Sequence, residues 1–368
     1  MDILVIGGGI GGLTAAIALR RQGFDVTVIE KESDWTVYGV GIIQQGNVLR
    51  AMNSLGLLER YVNAGAGFDA LEIYAPDGTK VARLPSPRLL EDQPATLGIG
   101  RPALHRVLID AATTSGAAMS LGTVAESIDD TGRKLRVGFS NGSEREFDLV
   151  IGADGVHSQV RASLFPEAGA PQFTGQAVWR YNLPRPPDLD AMHVYNGPIG
   201  TGLVPISADL MYIYATTPEP DNPRCPREGL AAAFRGKLAG CAPAIRAVAE
   251  QITDDTGVVY RPLEWLLVEG PWHKGRVVLL GDAAHSATPH LGQGAGLAIE
   301  DALVLADELA RHGRLEDALR AYRERRFDRC AYVVHASLAI CMGQLGKGPP
   351  VDNARAAAEM FDVVARPI

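Results

Sequence analysis

The stretch DILVIGGGIGGLTAAIALRRQGFDVTVIEK, residues 2–31, decides the fold. DILVI is a short apolar run and reads as a buried strand. Six residues from Gly7 to Gly12 then interrupt it. IGGLTAAIALRRQG reads as a helix, closed by Gly23. FDVTVIEK returns as a second apolar strand. Strand, helix and strand within about 30 residues is the spacing of a parallel mononucleotide-binding unit. Each glycine has its own reason. Gly7 permits the tight turn, Gly9 lets a pyrophosphate approach the backbone, and Gly12 allows the helix to lie close on the strand. The helix start offers uncommitted N–H groups to an anion, which makes Gly9, Ile10, Gly11 and Gly12 candidate cofactor contacts. Glu30 ends the second strand, 18 residues after Gly12. A carboxylate there can hold both hydroxyls of an adenine ribose, and it repels a 2′-phosphate, which disfavours NADP in this site. Lys31 adjoins it as a further candidate. The motif alone does not separate NAD from FAD.

The bulk numbers narrow the class. A chain of 368 residues suits two domains with a shared interface. Hydrophobic residues at 46% and charged residues at 21% are ordinary for a globular protein. A net charge of −8 argues against a nucleic-acid partner, because phosphate neutralisation needs a basic face. No apolar run reaches the length of a membrane span. The N-terminus has no basic segment followed by a cleavage site, so the expected location is cytoplasmic, with no membrane partner. Cys225, Cys241, Cys330 and Cys341 are scattered, without metal-ligand spacing, and read as reduced thiols; no metal is expected.

Further along, GNVLRAMNSLGLLERYVNAG is helical by its apolar spacing, and PDG inside residues 68–84 marks a hairpin. RPALHRVLIDAATTSG is another helix. Short strands follow around Asp129–Asp130 and SNGS, leading to FDLVIGADG. The character changes near Pro171. QAVWRYNLP, AMHVYNG, TGLVPIS and LMYIYATTP read as strands of an antiparallel sheet. GRVVLLGDAAH near Arg276 restores the parallel-strand style, and the remainder is mostly helical. The expected fold is α/β: a Rossmann-like dinucleotide domain with an inserted antiparallel-sheet domain and C-terminal helices.

The stretch GDAAHSATPHLGQGAGLAIED, residues 281–301, is a second strand–glycine loop–helix junction. Asp282 lies at the C-terminal end of the strand, where open α/β sheets place ligands, and can hold a sugar-like hydroxyl. GQGAGLAIEDA opens a helix with small residues that admit a ring system and N–H groups that favour negative charge. One loop serves the ADP end of a cofactor, and the other serves a ribitol and isoalloxazine end. That choice favours FAD.

With these residues in view, the sequence resembles the single-component, class A flavin-dependent aromatic hydroxylases, the family of para-hydroxybenzoate and salicylate hydroxylases. Three motifs match in order: GGGIGG with Glu30, IGADGVHSQVR at 151–161, and GDAAHSATPHLGQGAGLAIEDA at 281–302. The resemblance implies roles. Asp154 and Gly155 support the FAD pyrophosphate, Arg101 contacts FAD, and the Val124 backbone meets adenine. Gly281 and Asp282 hold the ribitol, Pro289 lies beside the flavin ring, and Gly292, Gly294, Ala295 and Gly296 line it. It also implies a division, with residues 1–72, 97–172 and 268–368 binding FAD and 73–96 with 173–267 forming the substrate domain. The implied reaction is hydroxylation of a small aromatic or N-heteroaromatic substrate by O2, driven by NADH or NADPH, through a flavin C4a-hydroperoxide.

One segment departs from the family. Where relatives read G-I-x-L-x-P-N-A-L-R, this chain has Gly41-Ile42-Ile43-Gln44-Gln45-Gly46-Asn47-Val48-Leu49-Arg50. Gln44 is therefore a candidate substrate contact. Tyr212 and Tyr214 share one face of a strand by alternation and are candidates too, Tyr212 also as a catalytic group. Arg180 is the main cation among the inserted strands. Trp179, Tyr181, His193 and Tyr195 are further candidates on neighbouring strands. His290, following Pro289, is a candidate base for a phenolic proton if its pKa stays near neutrality. His285 reads as a loop-orienting residue and His157 as a helix cap. Competing readings are a related flavoprotein epoxidase, N-hydroxylase or oxidase/reductase, and a non-catalytic dinucleotide-binding protein. The tryptophans at 35, 179, 265 and 272 do not form the WxWxIP motif of flavin halogenases. Monomer and homodimer both remain open.

Overall fold

The computed structural model describes every residue except Thr36, Tyr38, Pro198 and Arg224. The chain opens with β1 (Asp2–Ile6), α1 (Ile10–Arg21) and β2 (Asp25–Glu30), as the first stretch predicts. Next come β3 (Gly41–Gln45), α2 (Gly46–Ser54), α3 (Leu58–Asn63), β4 (Gly65–Phe68), β5 (Ala70–Tyr74), β6 (Lys80–Pro85) and β7 (Thr96–Gly100). α4 (Arg101–Thr114), β8 (Ala118–Leu121), β9 (Ala125–Asp130), β10 (Leu135–Phe139), β11 (Glu144–Phe147), β12 (Leu149–Gly152) and α5 (Gln159–Leu164) follow. The inserted region holds β13 (Gln172–Pro184), β14 (Met192–Tyr195), β15 (Gly200–Pro205), β16 (Leu210–Pro218), α6 (Leu230–Leu238), α7 (Pro243–Ala249) and β17 (Val259–Leu267). The end of the chain carries β18 (His273–Lys274), β19 (Val277–Leu279), β20 (His285–Ser286), α8 (Gly294–Arg311), α9 (Leu315–Gln344) and α10 (Asn353–Ala365).

A six-stranded sheet in the order β18-β19-β12-β1-β2-β8 forms the dinucleotide part. β19, β12, β1, β2 and β8 pair in parallel. Their buried runs Ile3–Val5, Leu149–Ile151 and Val277–Leu279 explain the apolar sequences, since a parallel sheet is covered on both faces. The C-terminal ends of β1 and β19 therefore lie on one edge, and both glycine-rich junctions open there.

An eight-stranded sheet, β20-β17-β13-β16-β15-β14-β5-β6, forms the inserted part. The hairpin β5–β6 joins it through a parallel pairing of β5 with β14. Alternation gives the sheet two different faces. Trp179, Leu183, Met211, Ile213 and Ala215 pack under α6 and α7 against Phe234, Leu238 and Ile245. Arg180, Asn182, Tyr212 and Tyr214 belong to the opposite face, because Arg180 pairs with Tyr214 and Asn182 with Tyr212. That face turns toward the three-stranded sheet β3-β7-β4, where Phe68, Val204, Ile206 and Tyr212 form one cluster. Among the described residues, no helix is long and apolar enough to cross a membrane.

The helical stretch expected at residues 46–65 is two helices. Gly56, at φ +68, ends α2. The Gly56 N–H donates to Asn53 and the Leu57 N–H to Met52, which satisfies the last carbonyls and turns the chain.

Candidate active site

The β1–α1 turn has the geometry its glycines predict. Gly7 takes φ +112, and a Cβ there would lie 2.4 Å from the Ala153 carbonyl. A Cβ at Gly12 would lie 1.9 Å from the Gly7 carbonyl, so only glycine lets α1 sit this close. At Gly9 a Cβ would meet nothing within 4 Å, which leaves the start of α1, with Ile10 and Gly11, open to an anion. The Glu30 carboxylate accepts from the Gly8 N–H at 2.9 Å and the Glu32 N–H at 3.1 Å, and so is fixed beside this turn. Lys31 is exposed and lies 3.9 Å from Glu32. Val124 is exposed, and its N–H and carbonyl already bond Ser140 at 3.1 and 2.9 Å.

The Asp-Gly motif touches the same turn, since the Cβ built at Gly7 also approaches the Asp154 backbone. One Asp154 oxygen accepts from the Gln159 and Val160 N–H groups at the start of α5, while the other is buried without a partner. Gly155, at φ +82, supplies the turn. Ser158 caps α5, its side chain accepting from the Arg161 N–H; His157, expected as the cap, is exposed and lies 3.0 Å from Glu264. Arg161 is buried and donates to the Ala283 carbonyl at 3.0 Å and to the Val156 carbonyl at 2.6 Å. It thus ties the 151–161 motif to the 281–302 motif, a role that the sequence reading missed.

In the second junction, Gly281 takes φ +64, and a Cβ there would lie 2.9 Å from Ala298. Asp282 reaches solvent just beyond the C-terminal end of β19, with protein packed around its carboxyl. Burial raises its carboxyl pKa, opposed by the charges of His285 and Arg101. Arg101 begins α4, and its charge is also felt by Tyr212. Pro289 opens a short 3-10 turn that ends at Gly292, at φ +67. Gly294, Ala295 and Gly296 form the first turn of α8, and a Cβ at Gly294 would meet nothing within 4 Å.

A fully buried ion network lies behind this junction. His285 Nε2 meets Asp301 at 2.6 Å, Arg326 donates to Asp301 at 2.7 Å, and the Gly281 N–H donates to Asp301 at 3.1 Å. Arg326 also lies 2.8 Å and Arg329 3.0 Å from Glu300. Burial pulls the His285 pKa down, but Cys330 and Asp301 outweigh it and raise it well above the usual imidazole value. Burial pushes Asp301 up, but His285 and Arg326 hold it at about 2. His285, Asp301 and Cys330 offer ligand atoms within 4.8 Å of one another. Arg326 already donates to that carboxylate and lies 3.8 Å from the Cys330 sulfur, so a cation occupies the corner a metal would need.

Above the cleft, the structure sorts the substrate-side candidates. Tyr212 packs on Gly41, where a Cβ would lie 2.3 Å from the ring, and on Ile206. Burial raises the hydroxyl pKa of Tyr212 and Tyr214, and both feel the charge of Arg180. Tyr212 and Tyr214 share one face, as the sequence alternation predicts, and the pairing of β13 with β16 adds Arg180 to it. Trp179, Tyr181, His193 and Tyr195 do not. Trp179 stacks on Phe234 and donates to Thr217 at 2.9 Å, on the far face. His193 meets Glu72 at 3.2 Å, and Tyr195 stacks on Tyr74 at 4.5 Å. They are one position out of phase with Tyr212, and a strand turns alternate residues away.

Gln44 is also corrected. It is fully buried, accepting from the Tyr61 hydroxyl at 2.7 Å. Its neighbour Gln45 faces the Pro289–Gly292 loop, donating to the Leu291 carbonyl at 3.2 Å and accepting from Gln293. Asn47 and Gln293 exchange side-chain hydrogen bonds at 3.1 and 3.2 Å and join α2 to the start of α8. His290 sits in the expected loop, with Nδ1 3.0 Å from Thr288 and Nε2 3.2 Å from Gln344. Burial drives its pKa down to about 4, with the Gln344 hydrogen bond only partly opposing. A near-neutral base at this position is not what the structure provides.

The open start of α1, the unpartnered Asp154 oxygen and the solvent-reaching Asp282 fit a cofactor with a pyrophosphate and a polyhydroxyl chain. Comparison with known proteins agrees. A family model described as an FAD binding domain matches residues 1–224 and 261–337. The 2-heptyl-3-hydroxy-4(1H)-quinolone synthase of Pseudomonas aeruginosa is 34% identical over 314 residues, covering 83% of this chain and 80% of the relative. The 3-amino-4-hydroxybenzoate 2-monooxygenase of Streptomyces cremeus is 34% identical over 350 residues, covering 90% of this chain and 84% of the relative. The crystal structure of Klebsiella pneumoniae HpxO complexed with FAD and uric acid superposes with a TM-score of 0.89 at 26% identity, covering 99% of this chain and 96% of that one. With its parallel sheet, its two glycine junctions and its inserted antiparallel roof, this chain belongs to the class A FAD-dependent aromatic monooxygenases.

Proposed function

We propose that this chain hydroxylates a small aromatic or N-heteroaromatic ring held between the Tyr212 face of the inserted sheet and the Pro289–Gly292 loop. Electrons come from NADH or NADPH, and oxygen comes from O2. The observation that carries the reading is the packing of Tyr212, from the inserted sheet, on Gly41 of β3, which pairs with Gly100 just before Arg101. Asp282 comes from the second junction, Arg101 from the start of α4, and Tyr212 from β16, and Arg101 exerts its charge on both of the others. The similar proteins whose printed names include 3-amino-4-hydroxybenzoate and uric acid support a ring substrate, carbocyclic or N-heterocyclic.

Bound FAD supplies the electron transfer and oxygen activation. The chain's own residues hold and shield. Glu30 takes the adenine ribose, Gly9 to Gly12 with Asp154 and Gly155 take the pyrophosphate, and Asp282 takes the ribitol. Gly294 to Gly296 present N–H groups to negative charge on the ring. Phe68, Ile43, Val204, Ile206 and Met192 line the cluster around Tyr212 with apolar surface and keep water out. Arg180, Tyr212 and Tyr214 orient the substrate. His290 is neutral at pH 7 and serves as a hydrogen-bonding wall. The division into residues 1–72, 97–172 and 268–368 for FAD and 73–96 with 173–267 for the substrate belongs to the same proposal. The four free thiols, three of them buried, suit a reducing cytoplasmic setting.

The test is NADH or NADPH oxidation by FAD-loaded protein against a panel of phenols and hydroxylated N-heterocycles, with peroxide scored beside it. One ring should raise the rate many-fold with little peroxide. A rate indifferent to every ring, with stoichiometric peroxide, overturns the proposal.

A further inference from the structure

Gln344 is the last residue of α9, and its amide oxygen is the meeting point of three elements. Gln176 Nε2 on β13 donates to it at 2.9 Å, the Thr216 hydroxyl on β16 reaches it at 3.3 Å, and His290 Nε2 lies 3.2 Å away. The Gln176 NH2 is the committed donor of the three and sets the Gln344 oxygen toward His290, while the Thr216 hydroxyl divides its one proton between that oxygen and the Gly200 carbonyl at 3.4 Å. The orientation is fixed from further back. The Cys341 thiol donates to Gln176 Oε1 at 3.3 Å, which turns the Gln176 NH2 toward Gln344. Burial raises the Cys341 pKa and keeps that thiol protonated.

The consequence falls on His290. With an acceptor at Nε2, the imidazole carries its proton there. Nδ1 is then the acceptor for the Thr288 hydroxyl at 3.0 Å. Thr288 is the residue from which the Pro289–Leu291 turn starts.

We propose that Gln344 is a positioning residue for the flavin-side loop: it holds His290 as the Nε2–H tautomer and ties that loop to the inserted substrate sheet. Gln344 acts through His290 on one side and through Gln176 and Thr216 on the other. The oxygenase chemistry needs both walls of the cleft in fixed register, and this amide bonds to both. The proposal rests on reading residues 289–292 as a wall of the flavin site. Its first readout is independent of any substrate.

The experiment is long-range proton–nitrogen NMR on FAD-loaded protein with labelled histidine, with the His290 signals identified by their loss in His290→Asn. The wild type should show the Nε2–H form of His290 throughout pH 6 to 8. Gln344→Leu should lose about a tenfold tautomer preference, the worth of one hydrogen bond. Gln344→Glu places a carboxylate at Nε2 and should raise the His290 titration midpoint by at least about one pH unit. The other titratable groups at this end of α9 and just beyond it, Cys341 and Lys347, are unchanged in both variants. If Gln344→Leu does not fold, Gln344→Asn, which keeps the amide but shortens its reach, should show the same loss. An Nδ1–H form in the wild type overturns the proposal. So does an unchanged tautomer in the Leu or Asn variant, even if ring-stimulated NAD(P)H oxidation is normal. Failure of the ring-hydroxylation reading would leave the tautomer result standing.

Discussion

Asp301→Asn tests the buried network behind the second junction. The wild-type carboxylate receives His285 at 2.6 Å, Arg326 at 2.7 Å and the Gly281 N–H at 3.1 Å, and the Asp301, His285 and Arg326 side chains are fully buried. Asparagine keeps one acceptor and turns an NH2 toward donors. His285 would then face a neutral group and Arg326 would keep only Glu300, with no water to reorganise around them. Breaking one side of a buried ion network costs ~3–5 kcal/mol. For a chain of 368 residues, an unfolding entropy of ~2.1 cal/mol/K per residue converts that into a Tm lower by about 4–6 °C. The pH signature follows from the sign of the shift. Asp301 is held at about 2, below its unfolded value, so its contribution is complete above about pH 4 and is lost as pH falls toward 2. Asp301→Asn should lack that loss. The assay is thermal unfolding followed by circular dichroism and by release of flavin fluorescence, at pH 7 and again in acid. A variant melting within about 1 °C of wild type at pH 7 would refute the reasoning.

Gly12→Ala should give no yellow protein, because its Cβ would stand 1.9 Å from the Gly7 carbonyl; a soluble variant with full FAD content would contradict the packing argument. Glu30→Ala should weaken FAD binding about 10- to 100-fold, the range for a lost charge-assisted hydrogen bond, as read by fluorescence titration. Gly41→Ala should push the Tyr212 ring away and raise KM for the ring substrate, while FAD content stays normal. Gln44→Leu should lower stability by ~1–3 kcal/mol, since the buried Tyr61 hydroxyl loses its acceptor, and leave KM unchanged.

The dinucleotide part was legible because its reasons are local. Gly7, Gly9 and Gly12 each answer a constraint within one turn, and Glu30 follows at a spacing set by one helix. The shared face of Tyr212 and Tyr214 was legible by alternation, but Arg180 joins it and Trp179 and His193 leave it because the phase of β13 and β14 is set by their pairing with neighbours. Gln44 was misread for the same reason. Gln44 and Gln45 are adjacent in sequence, and which of the two enters the core depends on the register of β3 against β7. Arg326 and Gln344 gave no signal, and Arg161 only closed a matched motif without its role, because each acts across 25 residues or more on a partner that only the fold supplies. His290 was placed in the right loop, but its pKa depends on burial by α9 and the inserted sheet, which no local pattern records.

The most direct test of ring oxygenation is isotopic. FAD-loaded protein, NADH or NADPH and the ring that most stimulates their oxidation are incubated under 18O2, and the product is weighed by mass spectrometry. One labelled oxygen in the ring product for each NAD(P)H consumed is the expected result. Label found only in peroxide, or a product whose new oxygen comes from water, would contradict it.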